Sequence, residues 1–165
     1  ASTKSSSGTL RVGDDARNRQ YRSLLYFDTA NLPNNAVISK VTVNINKAGL
    51  TGNDPFVTHG ILVADMKKGF FGLNKLLELA DFNAAGTPIP TAAKFTALVP
   101  ATPVWYQLTL SPSHFKYINL LGVTQFRLRF TKDDNNGRNA DFISFYAGDA
   151  VKENQPQLII EYYVP

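Results

Sequence analysis

The sequence predicts an all-β fold, an antiparallel jelly-roll-like β-sandwich with one or two short helices in its connecting loops. Three observations predict it: roughly nine short strand patterns, turn residues between most of them, and regular alternation of apolar and polar residues in two strands. The 165 residues, 44% of them hydrophobic, suit one domain with a sizeable core. We expect a flexible or exchangeable N-terminal segment over residues 1–8 and a single sandwich domain over residues 9–165.

The N-terminal half contains four strand patterns, namely Thr9–Val12, Tyr21–Phe27, Ala36–Asn46 and Phe56–Met66. The third places Val41, Val43 and Ile45 on one face, with polar residues alternating between them. A two-residue period is typical of a strand with one face in the core and the other in water. Turn residues such as Pro33, Asn34 and Asn35 separate these patterns.

The C-terminal half contains the remaining strand patterns, at Phe95–Val99, Val104–Leu110, Val123–Thr131, Asp141–Ala147 and Gln157–Val164. In Val123–Thr131, Phe126 and Leu128 point to one face, and Arg127 and Arg129 point to the other. This alternation again predicts a half-buried strand of an antiparallel sheet.

Two loop segments favour short helices. In Asn74–Phe82, Leu76, Leu77 and Ala80 have helical spacing, and the asparagine is a suitable N-cap. A second helix is predicted to begin with Ser111 at the N-cap and Pro112 at the first helical position.

Composition excludes several classes of protein. The net charge of +4 comes from scattered lysines and arginines, and no nucleic-acid-binding motif is present, so we expect no nucleic-acid partner. No apolar run approaches the roughly 18 residues of a membrane helix, so we expect no membrane span. The chain has no cysteine, which excludes disulfides and thiolate chemistry.

Three arginines are the candidate ligand-binding residues. A guanidinium group binds carboxylates in a bidentate manner, so a basic face could recognise acidic sugars. The alternative is that these arginines pair with Asp or Glu on neighbouring strands. The candidates are Arg22, Arg127 and Arg129.

Two polar clusters offer the oxygen ligands that calcium prefers, and calcium is the one cofactor we predict. An EF-hand is excluded, because Arg138 and Ser144 stand where that loop needs Gly and Glu, counting from Asp133. The alternative, which residue statistics favour, is that the cluster from Asp133 to Asp141 is a solvated hairpin loop. The candidate ligands are Asp14, Asp15, Asp133, Asp134, Asn136 and Asp141.

No pattern of catalytic residues is evident, and we expect no enzyme. The sequence contains neither a nucleophile elbow nor a phosphate-binding glycine motif. His59 and His114 are distant in sequence and have no cysteine partners, which disfavours zinc.

Several segments occur in the order found in DNRLRE-type domains, also called disaggregatase-related repeats. The chain resembles this family at Arg11–Asp15, Asn18–Asp28, Leu32–Val41, Gln125–Phe130, Asp133–Asn136 and Pro156–Tyr162. The resemblance implies a jelly roll on a secreted or cell-surface protein. It also implies similarity to carbohydrate-binding modules for acidic polysaccharides such as alginate.

The resemblance leaves two function classes open. One is a non-catalytic extracellular module that binds an acidic polysaccharide or mediates surface adhesion. The other is a structural subunit of an extracellular filament, sheath or tubule. Family members carry a further strand upstream of Thr9–Val12, and its absence here would leave an open slot in the sandwich. We expect a strand donated by the N-terminal segment of another copy to fill that slot.

Overall fold

The computed structural model describes residues 8–99 and 103–165. The predicted N-terminal segment, residues 1–8, lies outside the described residues except for Gly8. The strands of the described chain are β1 (Thr9–Asp14), β2 (Gln20–Tyr21), β3 (Ser23–Asp28), β4 (Val37–Thr51), β5 (Leu62–Lys68), β6 (Thr87–Pro88), β7 (Thr96–Leu98), β8 (Trp105–Thr109), β9 (Val123–Phe130), β10 (Asp141–Tyr146) and β11 (Gln157–Tyr163).

These strands form two antiparallel sheets. The first sheet has the order β2-β1-β10-β4-β8-β7, and β11 also pairs with β4. The second sheet has the order β3-β9-β5-β6. The predicted all-β sandwich is therefore confirmed.

Strand β4 organises the first sheet. Its Thr42–Asn46 stretch pairs with β8 on one side. Its other side pairs with β11 over Val37–Asn44 and with β10 over Lys47–Thr51. Strands β10 and β11 therefore follow one another along the same side of β4. The chain leaves the sheet between them and returns at Gln157.

The core lies between the two sheets and follows the predicted alternation. Val43 and Ile45 of β4 are fully buried, as are Phe126 and Leu128 of β9. Burying a side chain of this size contributes roughly 1.5–3 kcal/mol relative to leaving it exposed. Leu62, Met66, Leu108, Ile143 and Phe145 extend the same cluster.

The opposite faces of β4 and β9 are more covered than the alternation predicts. Thr42 and Asn44 of β4 are buried, and the Asn46 side chain donates to Asn154 Oδ1 at 2.8 Å. The Asn44 side chain likewise donates to Gln157 Oε1 at 3.3 Å, so Asn154 and Gln157 contribute to the cover on β4. On β9, a loop covers Gln125 and Arg127. Half-burial of these strands was therefore a wrong prediction, because loops distant in sequence cover their second faces.

Two local predictions were also wrong. Phe56–Met66 is not one strand, because Asp54 caps the short helix α1 (Pro55–Thr58) and β5 begins only at Leu62. Only Leu79–Phe82 of the predicted Asn74–Phe82 helix is helical, as a 3₁₀ turn. Its preceding residues present their leucines to solvent and gain no packing that would favour a helix.

The other predicted helix is present. Ser111 adopts the extended N-cap conformation, and a 3₁₀ helix follows over Pro112–Tyr117. In the described residues, no helix has the length and apolar character needed to cross a membrane.

Candidate functional site

The outer face of the second sheet contains a buried ionic cluster around Asp65. Arg127 and Asp65 lie opposite each other on the paired strands β9 and β5. Arg127 Nη2 donates to Asp65 Oδ2 at 2.7 Å, and Arg129 Nη2 donates to Asp65 Oδ1 at 3.1 Å. Burial alone would raise the pKa of Asp65, but hydrogen bonds from Arg129 and Arg127 outweigh it and lower the pKa. This carboxylate is therefore held in its ionised form.

A loop covers this cluster, and we call residues 69–86 the strap. Arg127 Nη1 donates to the carbonyl oxygens of Asp81 and Ala84, both at 2.9 Å. The guanidinium also lies over the Phe71 ring, 4.5 Å from its centroid. Arg127 thus ties two parts of the strap to the sheet.

Arg22 holds the same strap from β3's side. Its Nη1 donates to the Phe82 carbonyl at 2.6 Å, and its guanidinium lies 4.2 Å from the centre of the Phe82 ring. Its Nε donates to Gln20 Oε1, and burial lowers the pKa of Arg22. The three predicted ligand-binding arginines therefore come together, but their charges are already paired: Arg127 and Arg129 bind Asp65, and Arg22 Nη2 lies 3.7 Å from Asp133 Oδ1. This is the ion-pair alternative that the sequence left open.

One end of the sandwich brings the two predicted calcium clusters together. Asp14 of β1 and Asp141 of β10 are register partners and are both buried. Gly13 permits this approach: its φ is +135°, and a Cβ there would lie 2.2 Å from the Asp141 carbonyl oxygen. Asn135 Nδ2 donates to Asp141 Oδ2 at 2.6 Å, and the Asn53 backbone N–H donates to Asp141 Oδ1 at 2.7 Å. These bonds outweigh burial and lower the pKa of Asp141.

His59 completes this buried polar end. Its Nε2 lies 3.3 Å from Asp14 Oδ2, close enough for an ion pair but not aligned as a hydrogen bond. Its Nδ1 lies 2.8 Å from Thr58 Oγ1. His59 is fully buried and packs near Phe130. His59 has no acidic neighbour in sequence, but the fold places its ring beside Asp14 at the end of β1.

The other predicted calcium ligands point elsewhere. Asp15 pairs with Arg19, whose side-chain hydrogen bond lowers the pKa of Asp15 to about 2. Asp133 accepts from Gln20, and Asp134 accepts from the Asn136 backbone N–H. Within residues 8–99 and 103–165, no group of three or more His, Asp or Glu side chains is arranged to hold a metal ion. Calcium binding stays a prediction.

One side of the sandwich is open between the edges of the two sheets. In the described chain, β11 pairs only with β4 and β3 pairs only with β9, so each has an unpaired edge. Between them lies a groove of about 300 Å³ lined by Phe27, Asp28, Thr29, Asn31, Leu32, Leu158 and Ile160. We call this the edge groove. An unpaired edge beside apolar side chains is suited to receive another strand.

A second concavity has a basic character. It has a volume of about 530 Å³ and includes Lys68 and Lys116 above an apolar floor that contains Phe115. The side chain of Lys68 makes no ion pair in the described chain, and that of Lys116 lies 5.2 Å from the Tyr117 ring centre. The other lining residues are Asn34, Ala36, Ile38, Ile118, Leu120 and Leu121. We call this the lysine cleft.

Comparisons with known proteins give no family for this chain. No protein-family model matches it, and a search of curated proteins gives no match. The resemblance to DNRLRE-type domains therefore stays a prediction.

Asp65, the acidic partner of Arg127 and Arg129, was not predicted from the sequence. Asp65 stands alone in the apolar run Leu62–Met66, and an isolated carboxylate in a strand was the available signal. The edge groove had no local signal. Its walls, Phe27 and Leu158, are more than a hundred residues apart in sequence and meet only through the sheet order.

Proposed function

We propose that the chain is a non-catalytic structural module that self-associates by β-strand addition at the edge groove, in the assembly of an extracellular filament, sheath or tubule. The observation that carries the proposal is the outer edge of β11, which pairs with no strand among residues 8–99 and 103–165 and lies beside an apolar groove. A strand added there would pair with β11 and bury Leu158 and Ile160 against its own side chains. The extracellular setting and the lack of catalysis rest on the sequence alone.

The exposed apolar residues on β11 support this proposal. Tyr162 and Tyr163, at the end of the last strand, are 43% and 58% exposed. Long exposed edge strands with apolar side chains promote association, and proteins that remain monomeric usually protect such edges. Glu161 is the one charged residue of β11, and it is paired with Lys40 at 2.8 Å.

The test compares two neighbouring substitutions on β11. Leu158→Lys places a charge in the edge groove, whereas Ile159→Lys places the same charge on the opposite face of the strand. Sedimentation velocity and electron microscopy of the full chain should show concentration-dependent assemblies for the unsubstituted protein and for Ile159→Lys. Leu158→Lys should remain monomeric, with its circular dichroism spectrum confirming that it is folded. A native chain that stays monomeric at millimolar concentration would contradict the proposal.

Acidic-polysaccharide binding is a second candidate, supported by the lysine cleft rather than by the predicted arginines. Lys68 and Lys116 face a concavity whose lining contains no carboxylate. Such a surface would attract the carboxylates of a polyuronate, and the apolar floor would contact its sugar rings.

Affinity electrophoresis in alginate-containing gels tests this second candidate. We expect retardation of the native chain and its loss in Lys68→Glu combined with Lys116→Glu. The exposed Lys152, which is not among the cleft residues, gives a charge-matched control when replaced by glutamate together with Lys132. Equal retardation of both double variants would show only nonspecific charge attraction.

A further inference from the structure

The middle of the strap carries four exposed leucines. Leu73 is 93% exposed, and Leu76, Leu77 and Leu79 are 68%, 41% and 56% exposed. The strap is nevertheless fixed to the second sheet on either side of them. Phe71 N–H donates to the buried Gln125 side chain at 2.8 Å, and the Phe82 carbonyl accepts from Arg22. The exposed leucines are therefore held outward by an anchored loop.

The backbone of this segment takes no part in a sheet. Residues 71–78 contain neither strand nor helix. The Leu76 N–H donates to the Asn74 side chain, and the Glu78 N–H donates to the Asp81 side chain. The N–H groups of Leu73, Lys75 and Leu77 make no hydrogen bond within the described residues, so they can pair with a partner strand. The two side-chain bonds, and the 3₁₀ turn that begins at Leu79, must be exchanged for bonds to that strand when the segment is donated.

We infer that the donated strand is residues 73–79 of another copy, lying in the edge groove; this inference rests on the proposed function. The segment has seven residues, as does β11. In an extended conformation, Leu73, Lys75, Leu77 and Leu79 point to one face. Three leucines then enter the apolar groove, which the polar residues 1–7, Ala-Ser-Thr-Lys-Ser-Ser-Ser, cannot fill in the same way.

Charge complementarity supports this occupant. The one charged residue on the donor's inner face is Lys75, and the one charged residue lining the edge groove is Asp28. The Asp28 carboxylate accepts only the Ala30 backbone N–H and has no ion pair in the described chain. A lysine beside it in a partly desolvated groove would supply the missing counter-charge.

The donor and acceptor surfaces are different parts of the molecule. The strap lies on the outer face of the second sheet, and the edge groove lies between the sheet edges. A contact between two different surfaces is heterologous, and repetition of such a contact produces open chains or rings. Repetition of this one contact would give the proposed assembly a polarity, because every copy would present its strap to the edge groove of the next copy.

A charge-exchange experiment on the full chain tests the inference. Lys75→Asp and Asp28→Lys each place like charges at the contact, so each variant alone should associate about tenfold more weakly or worse, because like-charge juxtaposition opposes binding. An equimolar mixture should recover assembly, since each mixed contact again joins opposite charges. Sedimentation velocity measures this recovery. Failure of the mixture to recover would overturn the inference.

A second comparison separates the donor from the acceptor. Leu73→Asp combined with Leu77→Asp should abolish assembly, whereas the control Val57→Asp, at an apolar residue that is 83% exposed outside the strap, should not. If the leucine variant assembles normally while Leu158→Lys remains monomeric, the donor assignment is wrong and the proposed function stands. If Leu158→Lys also assembles normally, the proposed function fails as well.

Discussion

The outer face of the second sheet and the outer edge of β11 differ in how the chain covers them: the strap covers the face, whereas no strand of the described chain pairs with the edge. At the covered face, Arg127 and Arg129 donate to Asp65, and strap carbonyls accept hydrogen bonds from Arg127 Nη1. At β11, the side away from β4 pairs with no strand of the described chain, and Leu158 and Ile160 line the groove beside it. The first arrangement leaves few polar groups of the sheet itself for a partner to bind, whereas the second offers both backbone hydrogen bonds and apolar surface.

This difference teaches that residue type alone is a poor guide to a binding surface. Arginines suggest ligand recognition, yet Arg127 is almost completely buried here. The apolar residues of β11 suggest a core strand, yet Ile159 is 45% exposed. The order of the strands determines that Arg127 contacts other residues of its own chain, whereas Ile159 remains exposed.

Removing Arg127 tests the strap-covered cluster around Asp65 and should lower the free energy of unfolding more than any other substitution proposed here. Arg127→Met leaves Asp65 with Arg129 as its one cationic partner and removes the bonds to the Asp81 and Ala84 carbonyls. Breaking a buried ion pair on one side typically costs about 3–5 kcal/mol. Urea denaturation should show a free energy of unfolding lowered by about that amount.

Arg138→Met is the matched control for this measurement. Arg138 is exposed in the loop before β10 and makes no side-chain ion pair in the described residues. Surface substitutions of this kind usually change stability by no more than about 0.5 kcal/mol. Equal losses in the two variants would show that Arg127 is not held as described.

Acidification provides a reversible way to weaken the same cluster. The folded-state pKa of Asp65 is lowered, despite burial, by hydrogen bonds from Arg129 and Arg127. The stability it provides is therefore complete above its unfolded pKa of about 4 and is lost as the pH falls through the folded pKa. The loss should be smaller than in Arg127→Met, because the carbonyl contacts of Arg127 remain.

Thermal unfolding of the native chain and of Asp65→Asn between pH 6 and pH 2 measures this contribution. Other carboxylates titrate in both proteins, so the difference between their pH profiles isolates Asp65. The native chain should lose more stability than the variant below about pH 4. Parallel profiles would contradict an ion pair at this position.

The fold could largely be predicted because its core strands alternate clearly. The buried faces formed by Val41, Val43 and Ile45 and by Phe126, Leu128 and Phe130 agree with the sequence pattern. The pattern could not show that loops cover the opposite faces. That cover depends on contacts such as Asn46 with Asn154, which join residues 108 positions apart.

The contacts of the candidate site residues were harder to predict from the sequence than the core strands. Arg22, Arg127 and Arg129 lie close together in the fold, but local alternation does not show that Asp65 lies on the strand next to β9. Asp14 and Asp141 were each selected from separate loops, and the pairing of β1 with β10 brings them together beside His59. The edge groove is a property of the strand order and has no motif of its own.

An aromatic pair at the strap's beginning should make a moderate contribution. Tyr26 of β3 stacks with Phe70, with ring centroids 6.2 Å apart and planes 11° apart. Aromatic pairs contribute roughly 0.5–1.5 kcal/mol beyond their area burial. Tyr26→Ala should lower the unfolding free energy by about 1 kcal/mol, and a double-mutant cycle with Phe70→Ala should show that the two losses are not additive. Additive losses would mean that the rings do not interact.

The exposed leucines of the strap should contribute least to the stability of the isolated chain. Leu73 is 93% exposed, so Leu73→Asp removes almost no buried apolar area and should change the unfolding free energy by less than about 0.5 kcal/mol. The measurement belongs at micromolar concentration, where association is weakest. At high concentration the native chain should become more resistant to unfolding than the variant, because association stabilises only the folded state. A large loss of unfolding free energy at low concentration would instead show that Leu73 packs against its own chain. Leu73 would then not be available to enter the edge groove of another copy, and a different segment would have to be the donor.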